Sequence, residues 1–352
     1  MAQLPADDYN VVAYLNAPAL VTLAQSGRPF GSANDEAMQQ LGAQFLDALG
    51  SSAFGFTMLD GRSLVMDTVQ TLGSPAALAD AGFDLTMPAA AFDPAFAANI
   101  PADAPLVIQG TELNTSIATG FQNLRAFGRL IQQQLQSLPA DEVDEDMRWM
   151  RAVNPGAVLE RFFTLGFTGL TSLDLEQDVL PWLDGDYAAY LRLLPMPADS
   201  ETESVPDFAL LIEAPDAAGP NALVNGIAAT LENYEATFFE LQGAAAPQVV
   251  IRGLLPATMS KQADSLRDIR ELDLIVGSAD NLLVVGTREA ATASLAPTGD
   301  TLAESPAYGE ALTYALDGAQ QFWFMNTRAF VPVIDAFIAR EMGEGEQDMR
   351  DA

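Results

Sequence analysis

Leu272-Asp273-Leu274-Ile275-Val276-Gly277-Ser278-Ala279-Asp280-Asn281-Leu282-Leu283-Val284-Val285-Gly286 reads as two apolar strands, 272–277 and 282–286, around four turn-forming residues. A link this short returns a strand beside its predecessor in the antiparallel sense, because a parallel neighbour needs a crossover of about a dozen residues or more. Upstream, Tyr187 to Leu194 and Phe208 to Glu213 read as strands around a polar, Pro-containing loop. Ala236 to Leu241, Gln248 to Arg252 and Gln320 to Met325 supply further strands. Asn221 to Tyr234, Arg288 to Leu295 and Thr327 to Arg340 read as helices between or after them.

The first half repeats these elements. A strand over Asn10 to Leu15 runs into Asn16-Ala17-Pro18, a helix start with an Asn cap and a Pro in the first turn. Met38, Leu41, Phe45, Leu46 and Leu49 have helical spacing, and Phe54 to Val69 carries Asp60-Gly61 at its centre, a hairpin signal. A strand at Leu106 to Gln109 precedes a long helix from about Asn114 to Leu138, which Pro139 ends. The fold class predicted is α+β, with antiparallel sheets, helices packed mainly on one side and two lobes. The boundaries predicted are 1–140 for the N-terminal lobe, 141–170 for an acidic and helical connection, 171–341 for the C-terminal lobe and 342–352 for a frayed tail. Asn16 and Asn326 each follow a strand and precede an apolar-faced helix, which predicts matching caps in a duplicated strand-helix-hairpin module.

Composition removes whole reaction classes. The 352 residues contain no Cys and no His, so thiol, imidazole and Ser-His-Asp chemistry are absent and any metal would need oxygen ligands, as Ca²⁺ or Mg²⁺ accept. With 48 acids against 16 basic residues the formal charge is -32, which repels phosphates and disfavours nucleic acid as partner. The same charge favours basic partners and keeps the chain soluble. No apolar run reaches the roughly 20 residues of a transmembrane helix. Met1 to Pro5 lacks a basic start and an apolar h-region, which predicts either a cytoplasmic chain or one whose leader has been removed.

Candidate sites compete with plainer readings. Thr258-Met259-Ser260-Lys261 places the single Lys beside a Ser, but its polar surroundings read as an exposed segment. Asp141 to Asp146 lacks the Gly and distal Glu of an EF-hand and reads as solvated. The most distinctive string is Leu173 to Asp186. Asp174 is placed to cap a short helix, Pro181 to stop it, Trp182 to bury against the sheet and Gly185 to turn into the next strand. Asp184 and Asp186, across Gly185, are the candidate Ca²⁺ ligands; no catalytic residue and no other cofactor site is identified.

Asp174 to Asp186, the Leu4-Pro5-Ala6-Asp7 opening, Asp207 to Glu213 and Leu302 to Tyr308 together resemble the bacterial domain-of-unknown-function 3352 family. The resemblance implies a bacterial, extracytoplasmic setting and brings no catalytic residues. The function expected is a non-catalytic structural or binding component of an envelope or surface assembly, with a protein partner or self-association. The alternatives are a carrier of a small apolar ligand and, behind it, a carboxylate-based hydrolase.

Overall fold

The structure, a computed structural model, describes residues 11–16, 51–59, 63–71, 74–141, 143–195, 204–236, 239–243, 247–252 and 273–327. Its strands are β1 (Val11–Asn16), β2 (Ser51–Leu59), β3 (Ser63–Thr71), β4 (Leu106–Thr111), β5 (Asp186–Pro195), β6 (Ser204–Glu213), β7 (Phe239–Gln242), β8 (Gln248–Ile251), β9 (Leu274–Ala279), β10 (Leu282–Thr287) and β11 (Gln321–Met325). The helices are α1 (Pro75–Asp80), α2 (Leu113–Ser137), α3 (Trp149–Ala152), α4 (Pro155–Thr171), α5 (Ala218–Asn233), α6 (Arg288–Leu295) and α7 (Pro306–Leu312). This is an α+β fold. Contacts group the chain into two compact units, one of Met1–Met87 with Thr115–Gly166 and one of Pro88–Asn114 with Phe167–Ala352. The segment expected as a connection, 141–170, contributes to the first unit as far as Gly166.

In the first unit β1, β2 and β3 form an antiparallel sheet in that order, with Leu59 opposite Ser63 across the predicted turn. Helices α2 and α4 approach closely because glycines meet there. A Cβ on Gly156 would lie 1.9 Å from the Leu124 carbonyl oxygen, and one on Gly128 would lie 1.9 Å from Asn154 Oδ1. Asn154 ties the crossing by donating to the Arg125 carbonyl at 2.9 Å while its Oδ1 accepts from Ala157 N at 3.1 Å.

The second unit is built on an eight-stranded antiparallel sheet of order β11-β4-β5-β6-β10-β9-β8-β7. The deciding hairpin is β9–β10, with Ala279 opposite Leu282. Its turn is shorter than the four residues read from sequence: only Asp280 and Asn281 link the strands, and Asp280 takes φ 48°, a left-handed conformation that Asp tolerates. Neighbouring residues of a strand face opposite ways, so Gly277 and Ser278 report on the two faces. A Cβ on Gly277 would meet Leu295 of α6, whereas Ser278 Oγ donates to Asn221 of α5 at 2.7 Å. Helices therefore cover both faces of the sheet at β9. The cause is local: Leu282, Leu283 and Val284 are all buried, so both surfaces of β10 need a partner.

On the α6 face the core joins Val107, Ala188, Tyr190, Ala209, Leu211, Val284, Ala290, Leu302 and Tyr308. Each large apolar side chain so buried contributes about 1.5–3 kcal/mol. The segments after Asn16 and after Thr327, on which the paired Asn caps depend, lie outside the described residues, as do Thr258 to Lys261 and the tail 342–352. Asn326 itself follows β11, with its N–H donating to the Pro105 carbonyl at 2.7 Å.

Candidate functional site

The Leu173 to Asp186 string folds as a knot of local bonds. Asp174 Oδ1 accepts from the N–H groups of Glu176 and Gln177, both at 2.9 Å, and opens a helical turn over Leu175–Val179. Asp178 reaches back to accept from Asp174 N at 2.8 Å, so the two carboxylates satisfy donors at the helix start. Pro181 lies in the first residues of the next turn, Leu180–Trp182, where its missing N–H has no partner to lose. Trp182 is buried, donates from Nε1 to the Asp178 carbonyl at 2.9 Å and packs its ring over Gly219 of α5. Gly185 is forced by proximity: a Cβ there would stand 2.5 Å from the Glu213 carbonyl oxygen.

Asp184 is exposed, while Asp186 is half-buried at the start of β5. Asp186 Oδ1 accepts from Asp93 N at 3.2 Å. Burial pushes its pKa up, and the nearby Glu213 and Asp93 carboxylates push the same way against the bonds from Asp93 N and Thr111. Among the described residues no group of three or more acidic side chains is arranged to hold a metal ion.

A second constellation sits farther along β5, where β5 and β6 place Arg192 opposite Asp207. Both residues are buried, at 9% and 1% exposure, and Arg192 Nε donates to Asp207 Oδ2. Asp207 Oδ1 accepts from the Thr287 hydroxyl and, at 3.0 Å, from Ala290 N in the first turn of α6. The carboxylate thus caps a helix from a neighbouring strand, at the end where the helix dipole favours negative charge. Tyr190 completes the attachment. Its hydroxyl donates to the Ala290 carbonyl at 2.8 Å and lies 2.9 Å from Ser294 Oγ, and burial pushes its pKa up to about 12, so it stays a donor. Burial opposes the Arg192 charge, but the bond and the charge of Asp207, with Asp103, outweigh it and raise the guanidinium pKa.

Beside Arg192 lies a cavity of about 250 Å³ whose lining includes Ile100, Asp103, Ala293, Pro297 and Asp300. Its rim is a backbone clasp. Leu302 N donates to the Ile100 carbonyl at 2.7 Å and Ala102 N to the Asp300 carbonyl at 3.1 Å.

Two features escaped the sequence reading besides this one. Gln109 of β4 is buried and accepts from the Tyr308 hydroxyl, while its Nε2 has no partner. On helix α4 Gly156, Glu160 and Thr171 are buried, and Glu160 pairs with Arg125 of α2 at 2.5 Å, while Arg161, Gly166, Thr168 and Gly169 are exposed. Most of its apolar residues are exposed, with Phe162 at 72%, Leu165 at 59% and Val158 at 44%. No family model, no curated protein and no solved structure matches this chain.

Proposed function

We propose that this chain is a non-catalytic binding component of a bacterial envelope or surface assembly, and that it engages a basic protein partner through the outward face of α4. The exposure of Phe162, Leu165 and Val158 on a helix that buries Glu160 instead carries this reading. A helix facing water normally shows the reverse arrangement, and clustered apolar exposure marks interaction surfaces. The formal charge of -32 supports a basic partner over a second copy, since two such chains repel. The bacterial, extracytoplasmic setting follows from the resemblance of Asp174 to Asp186 and its companion motifs.

The buried charges support a non-catalytic role. Arg192 and Asp207 are occupied with each other and with the α6 attachment, and Asp186 accepts from a backbone N–H. An apolar-ligand carrier is supported less, because the cavity at Arg192 is lined by charges.

The test is site-specific photocrosslinking in the cells that make the chain, with the crosslinker at Phe162 or, as control, at exposed Glu310. One predominant protein adduct is expected at Phe162 and not at Glu310. That protein, purified, should bind the wild-type chain at least tenfold more tightly than Phe162→Ser/Leu165→Ser, at unchanged thermal stability. Identical adducts at both positions, adducts only to another copy, or equal affinity of the double variant would each overturn the proposal.

A further inference from the structure

We infer that the Arg192 cavity is a binding site for a small aliphatic α-amino acid in its zwitterionic form. Asp207 holds Arg192 Nε from behind and does not line the cavity, so the planar fork is fixed in place before any ligand arrives. Toward the cavity, Nη1 lies 3.5 Å from Asp103 Oδ1, longer than the roughly 2.7–2.9 Å of a charge-assisted hydrogen bond. Asp103 is 65% exposed and therefore not committed to that contact. A ligand carboxylate fits against the fork, where two parallel N–H bonds match its geometry.

Charge then selects the rest of the ligand. Asp103 and Asp300 line the cavity together with Arg192, and Asp207 stands behind it, so acids outnumber the single cation. A simple anion meets that surplus, and a simple cation leaves the fork unused. A molecule carrying an ammonium beside its carboxylate satisfies both, with the ammonium between Asp103 and Asp300. Size and lining set the side chain. A volume of 250 Å³ holds about eight waters at roughly 30 Å³ each, the heavy-atom count of valine. Ile100, Pro101, Ala293 and Pro297 offer the apolar wall that such a side chain needs. The clasp between residues 100–102 and 300–302 uses its backbone groups internally, which keeps the rim from collapsing on the empty space. This site belongs to the second unit and does not depend on the reading of α4.

Isothermal titration of the whole chain with L-valine tests the inference, with 3-methylbutanoate and 2-methylpropylamine as probes lacking the ammonium or the carboxylate. Saturable valine binding is expected, with each half-ligand at least tenfold weaker. Asp300→Asn should weaken valine about tenfold. Ala293→Met fills the cavity from α6 and should abolish binding while the melting temperature stays within a few degrees of wild type. Because Arg192→Lys endangers the fold, Ala293→Met carries the test of location. Absence of saturable valine binding, equal binding of 3-methylbutanoate, or full affinity in folded Ala293→Met would each overturn the assignment.

Discussion

Truncating Trp182 tests how the second unit is held together. The indole is 8% exposed, and replacing a buried aromatic ring by Ala costs about 3–5 kcal/mol. The bond from Nε1 to the Asp178 carbonyl adds little beyond that, since a neutral hydrogen bond nets about 1 kcal/mol and the exposed Asp178 can turn to water. At about 2–4 °C per kcal/mol for a body of this size, the midpoint should fall by about 6–20 °C. The partner in contact is Gly219, where an added Cβ would stand 2.7 Å from three ring atoms. Gly219→Ala alone should therefore destabilise by about 1–3 kcal/mol through overpacking. In Trp182→Ala the ring is gone, and the same change should become neutral or favourable, because Ala exceeds Gly by about 1 kcal/mol inside a helix. Urea unfolding of the four proteins, followed by far-UV circular dichroism because the fluorophore itself is removed, gives the coupling. Additive effects, or a loss below about 1 kcal/mol for Trp182→Ala, would refute the argument that this ring fastens the 175–182 segment to α5.

Two further outcomes follow from the buried polar groups. Asp186 has a pKa raised above 3.8, so between 3.8 and the raised value the folded chain keeps a proton that the unfolded chain has released. Its contribution to stability is then fully present below pH 3.8 and lost as pH rises through the folded pKa. Asp186→Asn keeps an acceptor for Asp93 N and should be more stable than wild type at neutral pH, with the advantage vanishing in acid; a pH-independent difference in melting temperature would contradict this. Tyr308→Phe should cost about 1–3 kcal/mol by stranding a second polar atom of Gln109, whereas Tyr308→Phe with Gln109→Met should recover most of that loss in thermal unfolding. No recovery in the double variant would mean that the pair is not an isolated polar island.

The antiparallel architecture was legible because short turns leave no other option, and β9–β10 shows this with a link of only Asp280 and Asn281. The Asp174 cap was legible for a similar reason: it requires only residues within four positions. Coverage of both sheet faces is written in Leu282-Leu283-Val284-Val285, whose lack of alternation marks a strand buried on two sides, a signal separate from the turn that makes the run a hairpin arm. The Arg192–Asp207 pair left a fainter trace, a single charge of each sign inside otherwise apolar strands, and its meaning depends on a register that no local pattern fixes. Gln109 and Tyr308 are 199 residues apart, and only the folded chain brings them together.

The Arg192 pair also shows why scaffold and site need not be alternatives. A buried ion pair is often no more stabilising than apolar residues of the same volume, because desolvation offsets the attraction. Here the pair does something an apolar pair could not: Asp207 accepts from the Thr287 hydroxyl and the Ala290 N–H at the start of α6 and simultaneously fixes the guanidinium that faces the cavity. The rigidity that anchors the helix is the preorganisation that a ligand carboxylate would use. Ligand binding at the cavity should accordingly raise the stability of the folded chain by mass action, about 2.7 kcal/mol at a hundredfold excess over Kd. Substitutions on the outward face of α4 should leave that gain untouched, because they change neither Arg192 nor its partners. A ligand-induced rise in melting temperature that persists in Phe162→Ser/Leu165→Ser and disappears in Ala293→Met would assign the effect to the cavity alone.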